Sequence, residues 1–282
     1  MNKFLQLGKF TISIPVALTG FLGYFLAKPT VDLDALYTVL GIFLLSSGSS
    51  ALNQIQERHT DAKMERTAKR PLPSGQITLT GAIIFSLICA GAGTLSLLLT
   101  GYWLASALGL FTLAWYNLVY TPLKRITAFA VLPGAVIGAL PPLIGWTAAG
   151  GFPLDMEILA VAFLLFVGQM PHYWLLLIKV GNEFHEAGLP VITSLFDQRQ
   201  IRNLSFMWIA ATGVCVLMLP VTPIIRHRAM SLVLIVAAIS FLIRMFFLSY
   251  RGNLAEHWKK AFITVNLFYL LIILVLIADR IF

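Results

Sequence analysis

Charge is scarce in this sequence. Of 282 residues, 20 are Lys or Arg and 12 are Asp or Glu, 11% in all, where a water-soluble domain carries about a quarter. That shortage excludes a soluble globule. With 59% hydrophobic residues and a mean hydropathy of +0.86, the composition is that of a polytopic membrane protein. Cysteine is nearly absent: Cys89 and Cys215 each sit inside an apolar run, which argues against a disulfide framework and a Cys-based metal site and leaves packing as their role. No C-x-x-C-H string is present, so covalent heme attachment is not expected. No nucleic-acid motif accompanies the net charge of +8, and no nucleic-acid partner is expected, because the basic residues fall between hydrophobic stretches. A small-residue cleavage pattern is also missing between Met1–Lys9 and the turn "AKPTVDLD", so the first apolar stretch is expected to stay as a helix. Without a linker or low-complexity tract, residues 1–282 are expected to form a single domain.

What is present is apolar length. Runs able to cross a hydrocarbon core of about 30 Å, which takes roughly 20 residues, lie near 10–28, 35–56, 77–99, 102–120, 126–147, 155–178, 201–221, 229–249 and 260–279. Unpaired backbone groups are so costly in lipid that each run is expected to be a helix, giving an all-α bundle of about nine transmembrane helices. Pro133, Pro141 and Pro142 are expected to kink or break the fifth. Sixteen Lys and Arg fall on one side of these spans and four, Lys28, Arg226, Arg228 and Arg280, on the other. The asymmetry predicts an N-terminus in the cytoplasm and a C-terminus outside.

The scarce charge is concentrated. "NQIQERHTDAKMERTAKRPLPSG", Asn53–Gly75, holds eight charged residues between segments that are almost uncharged. Asn53, Glu57 and Asp61 are spaced i, i+4, i+8, on one face of the end of the second helix. A carboxamide and two carboxylates form an oxygen-ligand edge suited to Mg²⁺, which keeps several waters and shares substrate phosphates. Arg66, Lys69 and Arg70 follow as phosphate-clamping cations. The bland alternative is a solvated, positive-inside loop with i, i+4 charge pairs. Two prolines stiffening "RPLPSG", and an Asn that adds nothing to topology, favour a site. A second polar cluster follows helix six in "PHYWLLLIKVGNEFHEAGLP", where Asn182, Glu183 and Glu186 offer oxygen ligands and Gly181 and Gly188 permit tight turns. Taken alone, that cluster reads more readily as a solvated loop.

The first segment resembles the N-x-x-x-D/E-x-x-x-D…M-x-R-T-x-x-R-P-L motif of UbiA-type intramembrane prenyltransferases, most closely their heme-directed branch. "YTPLKR" (Tyr120–Arg125), "GALPPLIGWTAAGG" (Gly138–Gly151) and "PHYW" (Pro171–Trp174) agree in order and spacing across residues 9 to 190. The resemblance implies a nine-helix bundle around a lipid-open central cavity, in a cytoplasmic (inner) bacterial membrane. It implies Mg²⁺ held by Asn53, Glu57 and Asp61, with Asn182, Glu183 and Glu186 at the second acidic motif, where Asn182 replaces the usual Asp. It also implies diphosphate held by Arg66, Arg70 and Lys124. Farnesyl diphosphate and heme B are the implied substrates, heme being substrate and not cofactor. His172, Tyr120 and Trp174 are the implied acceptor contacts, and a heme A synthase or terminal-oxidase assembly step the implied partner of the product.

Tyr116, Tyr120, Tyr173 and Trp174 offer aromatic faces to an allylic cation, although packing is the commoner use of such residues. The glycines and alanines between Gly134 and Gly151 are expected to leave room for a porphyrin. Three rivals remain: transfer to a quinone precursor or other lipid-soluble acceptor, a transporter, and a noncatalytic heme-handling protein. A transporter would place its acids near the bilayer midplane. Here the acids gather at one membrane face beside cations.

Overall fold

The computed structural model describes residues 3–192, 195–251 and 254–282, with side chains described outside 176–186, 251 and 254–256. Among the described residues there is no strand, and nine helices are long and apolar enough to cross a membrane. These are α1 (Phe10–Ala27), α2 (Leu33–Asp61), α3 (Leu79–Leu98), α4 (Trp103–Ala114, continued by a π-helical turn Trp115–Tyr120 and by Thr121–Leu123), α5 (Val131–Ala148), α6 (Met156–Glu186), α7 (Gln198–Met218), α8 (Arg228–Phe246, continued by a π-helical turn Phe247–Arg251) and α9 (Leu254–Ile281). The all-α reading and the number of spans hold. The chain packs as two compact units, Met1–Pro153 with Glu183–Pro190, and Leu154–Asn182 with Val191–Phe282.

In the first unit the sequence solves a packing problem set by lipid. Acyl tails are as apolar as leucine, so helices associate through close backbone approach instead of a hydrophobic gradient. Glycine permits that approach between α1 and α5, where a Cβ on Gly23 would run into the Pro142 carbonyl and one on Gly145 into that of Gly20. It does the same between α2 and α3, where a Cβ on Gly93 would sit 2.8 Å from the Gly41 carbonyl oxygen. Asp32 starts α2, its carboxylate accepting from the Ala35 amide at 3.0 Å. Tyr24 Oη donates to the same carboxylate at 2.6 Å, and Lys28 Nζ lies 2.6 Å from it.

The second unit closes with aromatic and small-residue contacts of its own. Phe241 of α8 stacks on Phe268 of α9 with ring centroids 4.0 Å apart, and Gly213 of α7 accommodates Leu242 of α8. Asp279, fully buried near the end of α9, accepts from the backbone amides of Arg226 and His227 at 2.8 and 2.9 Å.

Two expectations about the backbone are corrected. Pro133, Pro141 and Pro142 do not break the fifth span, since α5 runs from Val131 to Ala148. Pro133 occupies the first turn, whose amides have no intrahelical partner. Pro141 and Pro142 lie against α1, which keeps the freed backbone out of lipid. The segment with Asn182, Glu183 and Glu186 is not a loop turning at Gly181. It is helical to Glu186, making α6 31 residues long, and the positive-φ turn falls at Gly188, φ 76°. At about 1.5 Å per residue such a helix outruns a hydrocarbon core of about 30 Å, so its acids ride on a helical extension. The side chains of Asn182, Glu183 and Glu186 lie outside the described residues.

Candidate active site

The last turns of α2 carry three buried polar side chains on one face: Asn53, Glu57 and Asp61, each at most 4% exposed. Two buried carboxylates would each cost several kcal/mol if left alone. Each member of the trio instead faces a cation from another segment. Lys124 Nζ, just past α4, lies 2.6 Å from Glu57 Oε1. Arg70 Nη1 donates to Asp61 Oδ2 at 2.7 Å, and Lys9 Nζ donates to Asn53 Oδ1 at 3.0 Å.

The neighbouring backbone fixes this arrangement. Thr67 Oγ1 donates to the Asp61 carbonyl at 2.8 Å, tying the Arg66–Arg70 turn to the end of α2. The π-helical turn of α4 supplies a second tie. Asn53 Nδ2 donates to Thr121 Oγ1 at 3.2 Å, so the Asn53 carbonyl oxygen is the one presented to Lys9. Asn117 Nδ2 donates to Ser49 Oγ at 2.7 Å, while Gln56 Nε2 donates to the Asn117 carbonyl at 3.0 Å. A π-turn leaves carbonyls unpaired by the regular ladder, and such turns often occur at functional sites.

Lys9 is the residue that topology counting passed over. It stands at the N-cap of α1 with φ 45° and ψ 51°, and among the described residues it is the one non-glycine at positive φ. That conformation costs roughly 1–2 kcal/mol for a residue with a Cβ, and strain of this kind clusters at ligand sites. Gln54 holds the turn in place, its Nε2 donating to the carbonyls of Gln6 and Leu7 at 3.2 and 2.8 Å. Burial first, then the charges of Arg70 and Lys124, pull the Lys9 ammonium down to about 7. An arriving anion would restore its charge. The available signal was a lone lysine where the first apolar run begins, in "LGKFTISIP".

Two cavities meet at Lys9. One is a cleft to which Lys9, Arg66, Lys69 and Arg70 bring four basic side chains, with Leu5, Phe10, Ile12 and Pro71 in its apolar wall. The other is an apolar cavity of about 140 Å³, running down from Lys9, Ser50 and Tyr116 to Val16, Ile42 and Ile144. A site with a cationic head and an apolar barrel suits an amphiphilic anion. Among the described residues no three His, Cys, Asp or Glu side chains converge as a metal cage. The trio on α2 fits a metal that needs few protein ligands and takes phosphate oxygens, and Mg²⁺ is such a metal.

The UbiA prenyltransferase family model matches residues 16–272. The chain belongs to the UbiA prenyltransferase family. It is 36% identical over 265 residues to a protoheme IX farnesyltransferase of Nitratidesulfovibrio vulgaris, covering 94% of this chain and 92% of that one. Its fold is that of solved UbiA proteins. A digeranylgeranylglyceryl phosphate synthase superposes with a TM-score of 0.80 at 16% identity, over 99% of this chain and 98% of the other. A UbiA homologue from Archaeoglobus fulgidus, solved with GPP and Mg²⁺, superposes with a TM-score of 0.72 at 14% identity over the whole of both chains.

Of the side chains anticipated in this UbiA protein, the first unit brings Asn53, Glu57, Asp61, Arg70 and Lys124 together, with Arg66 in the adjoining cleft. Tyr116 lines the apolar cavity; Tyr120 packs against its ring, centroids 5.4 Å apart, and fills the notch at Gly134. His172 and Trp174 belong to the second unit, His172 with its ring 4.8 Å from that of Phe262 and Trp174 buried, its indole N–H without a partner among the described residues. The room expected at the glycines of 134–151 is taken at four of them: by Tyr120 at Gly134, by the Gly20 backbone at Gly145, by Tyr102 at Gly150 and by the Trp146 indole at Gly151.

Proposed function

We propose that the protein is a Mg²⁺-dependent prenyltransferase that moves the farnesyl group of farnesyl diphosphate to a vinyl group of heme B, giving heme O and diphosphate. One observation carries the donor half: Lys9 lines both the four-cation cleft and the apolar cavity, so a diphosphate and its prenyl chain have adjoining compartments. The protoheme IX farnesyltransferase relative supports the acceptor half.

In this reading Asn53, Glu57 and Asp61 hold the metal, with the α6 extension bearing Asn182, Glu183 and Glu186 as the second acidic segment. Bound Mg²⁺ would neutralise charge developing on the departing diphosphate, often the largest catalytic contribution. Lys9, Arg70 and Lys124 turn from the α2 side chains toward the phosphate oxygens, exchanging one set of charge-assisted hydrogen bonds for another, and Arg66 adds its charge from the cleft. The bond between the first prenyl carbon and oxygen breaks, and the electron pair leaves with diphosphate. The Tyr116 face, in a water-poor cavity, stabilises the allylic cation. A vinyl carbon of heme B supplies the electron pair for the new carbon–carbon bond, and water adds to the cation left on the other vinyl carbon and releases a proton, completing a hydroxyethylfarnesyl substituent. Tyr120, His172 and Trp174 are the acceptor contacts in this reading. The charge asymmetry supports a cytoplasmic α2 end.

Purified protein with Mg²⁺, farnesyl diphosphate and heme B is expected to yield hydroxyethylfarnesyl heme and diphosphate, identified by mass. Prenylation of 4-hydroxybenzoate with heme ignored would overturn the acceptor and leave the prenyltransferase.

A further inference from the structure

Resting on the prenyl-diphosphate reading above, we propose that the floor of the apolar cavity measures the prenyl chain, admitting three isoprene units and excluding a fourth. The specificity-determining residues are Ile42, Leu45 and Gly109.

Depth follows from helix geometry. The cavity is lined from Lys9 to Val16 on α1, from Tyr116 back to Gly109 along α4 and its π-turn, from Ile137 to Ile144 on α5, and from Ser50 back to Ile42 on α2. Each stretch descends from the polar end through seven or eight residues, about 10–12 Å at ~1.5 Å per residue. An extended chain advances ~1.2 Å per bond, as an extended backbone does, so an isoprene repeat of four chain bonds spans about 5 Å. A three-unit chain with its first carbon beside Lys9 reaches about 13 Å, about one chain bond past the deeper of those limits, and a fourth unit adds about 5 Å more.

The helices close beneath the floor. One turn below Val16, α1 and α5 meet backbone to backbone at Gly20 and Gly145, and Ile42 Cδ1 occupies the place a Gly20 side chain would take. Ala17, Tyr24 and Ala148 are fully buried around that contact. Leu45 fills the gap beside Gly109: a Cβ there would lie 2.6 Å from Leu45 Cδ1 and 2.9 Å from Leu97 Cδ1. Side chains at the floor are thus a leucine and an isoleucine held by glycines, and trimming either deepens the cavity without touching the cations at its mouth.

The test is a competition among geranyl, farnesyl and geranylgeranyl diphosphates, with product ratios read by mass. Wild type is expected to use the three-unit donor. Ile42→Ala and Leu45→Ala should each raise the four-unit to three-unit product ratio by about tenfold, since single methylenes in an apolar pocket discriminate by about that much or more. Gly109→Ala, whose methyl drives Leu45 into the cavity, should shift preference toward the two-unit donor. Ile42→Val, a milder change, should move the ratio in the same direction as Ile42→Ala by less. Ratios within twofold of wild type in the Ile42 variants, with three-unit transfer intact, overturn the ruler while the donor reading stands. Absence of transfer from all three donors in the wild type overturns the donor reading and the ruler with it.

Discussion

The two ends of α2 each carry acidic side chains paired with lysine, and they are built in opposite ways. At the start, Asp32 is tied by its own neighbourhood: the Ala35 amide, Tyr24 Oη and Lys28, four residues away, with the Asp32 side chain about one-third exposed. At the end, Glu57 and Asp61 are buried and draw Lys124 and Arg70 from 67 and nine residues along the chain. A local pair closes a helix and has nothing to exchange for. Cations gathered from three separate segments around buried acids, beside a cleft, can release those acids when a more anionic partner arrives. The difference separates a structural ion pair from one poised to be remade.

The strongest way to break this contrast is Asp61→Asn. The amide keeps the shape but loses the charge that binds metal and offsets Arg70, and turnover at limiting Mg²⁺ is expected to fall by about 100-fold or more. Full activity in a correctly inserted variant would remove the metal role. Lys9→Met should act less severely and differently. Loss of one charge-assisted phosphate contact, about 1.5–3 kcal/mol, raises KM for the prenyl diphosphate by about tenfold or more, with kcat changed less. Steady-state kinetics over donor concentration separate this from a general loss of folded protein, which would lower the amount of active enzyme at unchanged KM.

The contrast also explains what the sequence made legible. Asn53, Glu57 and Asp61 were readable because a 3.6-residue period is local, and the nine spans because lipid leaves each apolar run few alternatives. Lys9 was not readable as a site residue. Its meaning lies in a left-handed turn and a contact across 44 positions, and a lysine at the edge of a span looks like any positive-inside charge. The break allowed for in the fifth helix does not occur, because the glycines of α1 pack against its prolines. The segment around Gly181 was misjudged because one glycine costs only about 1 kcal/mol within a helix. Neighbours on another helix decided the first.

Asp32→Ala should have the smallest effect, and it sharpens the comparison from the other side. Lys28 first, then the Tyr24 hydroxyl, hold the Asp32 carboxyl well below the usual carboxylate range. A depressed folded-state value means the charged form contributes stability above the unfolded value, near 3.8, and that this contribution is lost as the pH falls toward the folded value. Replacing the N-cap is expected to cost about 1 kcal/mol at pH 7, with prenyl transfer within about twofold of wild type because α2 still presents its far end intact. Thermal unfolding in detergent should therefore show a lower midpoint for the variant at neutral pH, with the gap to wild type closing below about pH 4. A large loss of turnover in Asp32→Ala at full stability would mean that the two ends of α2 are not the separate structural and catalytic features their geometry describes.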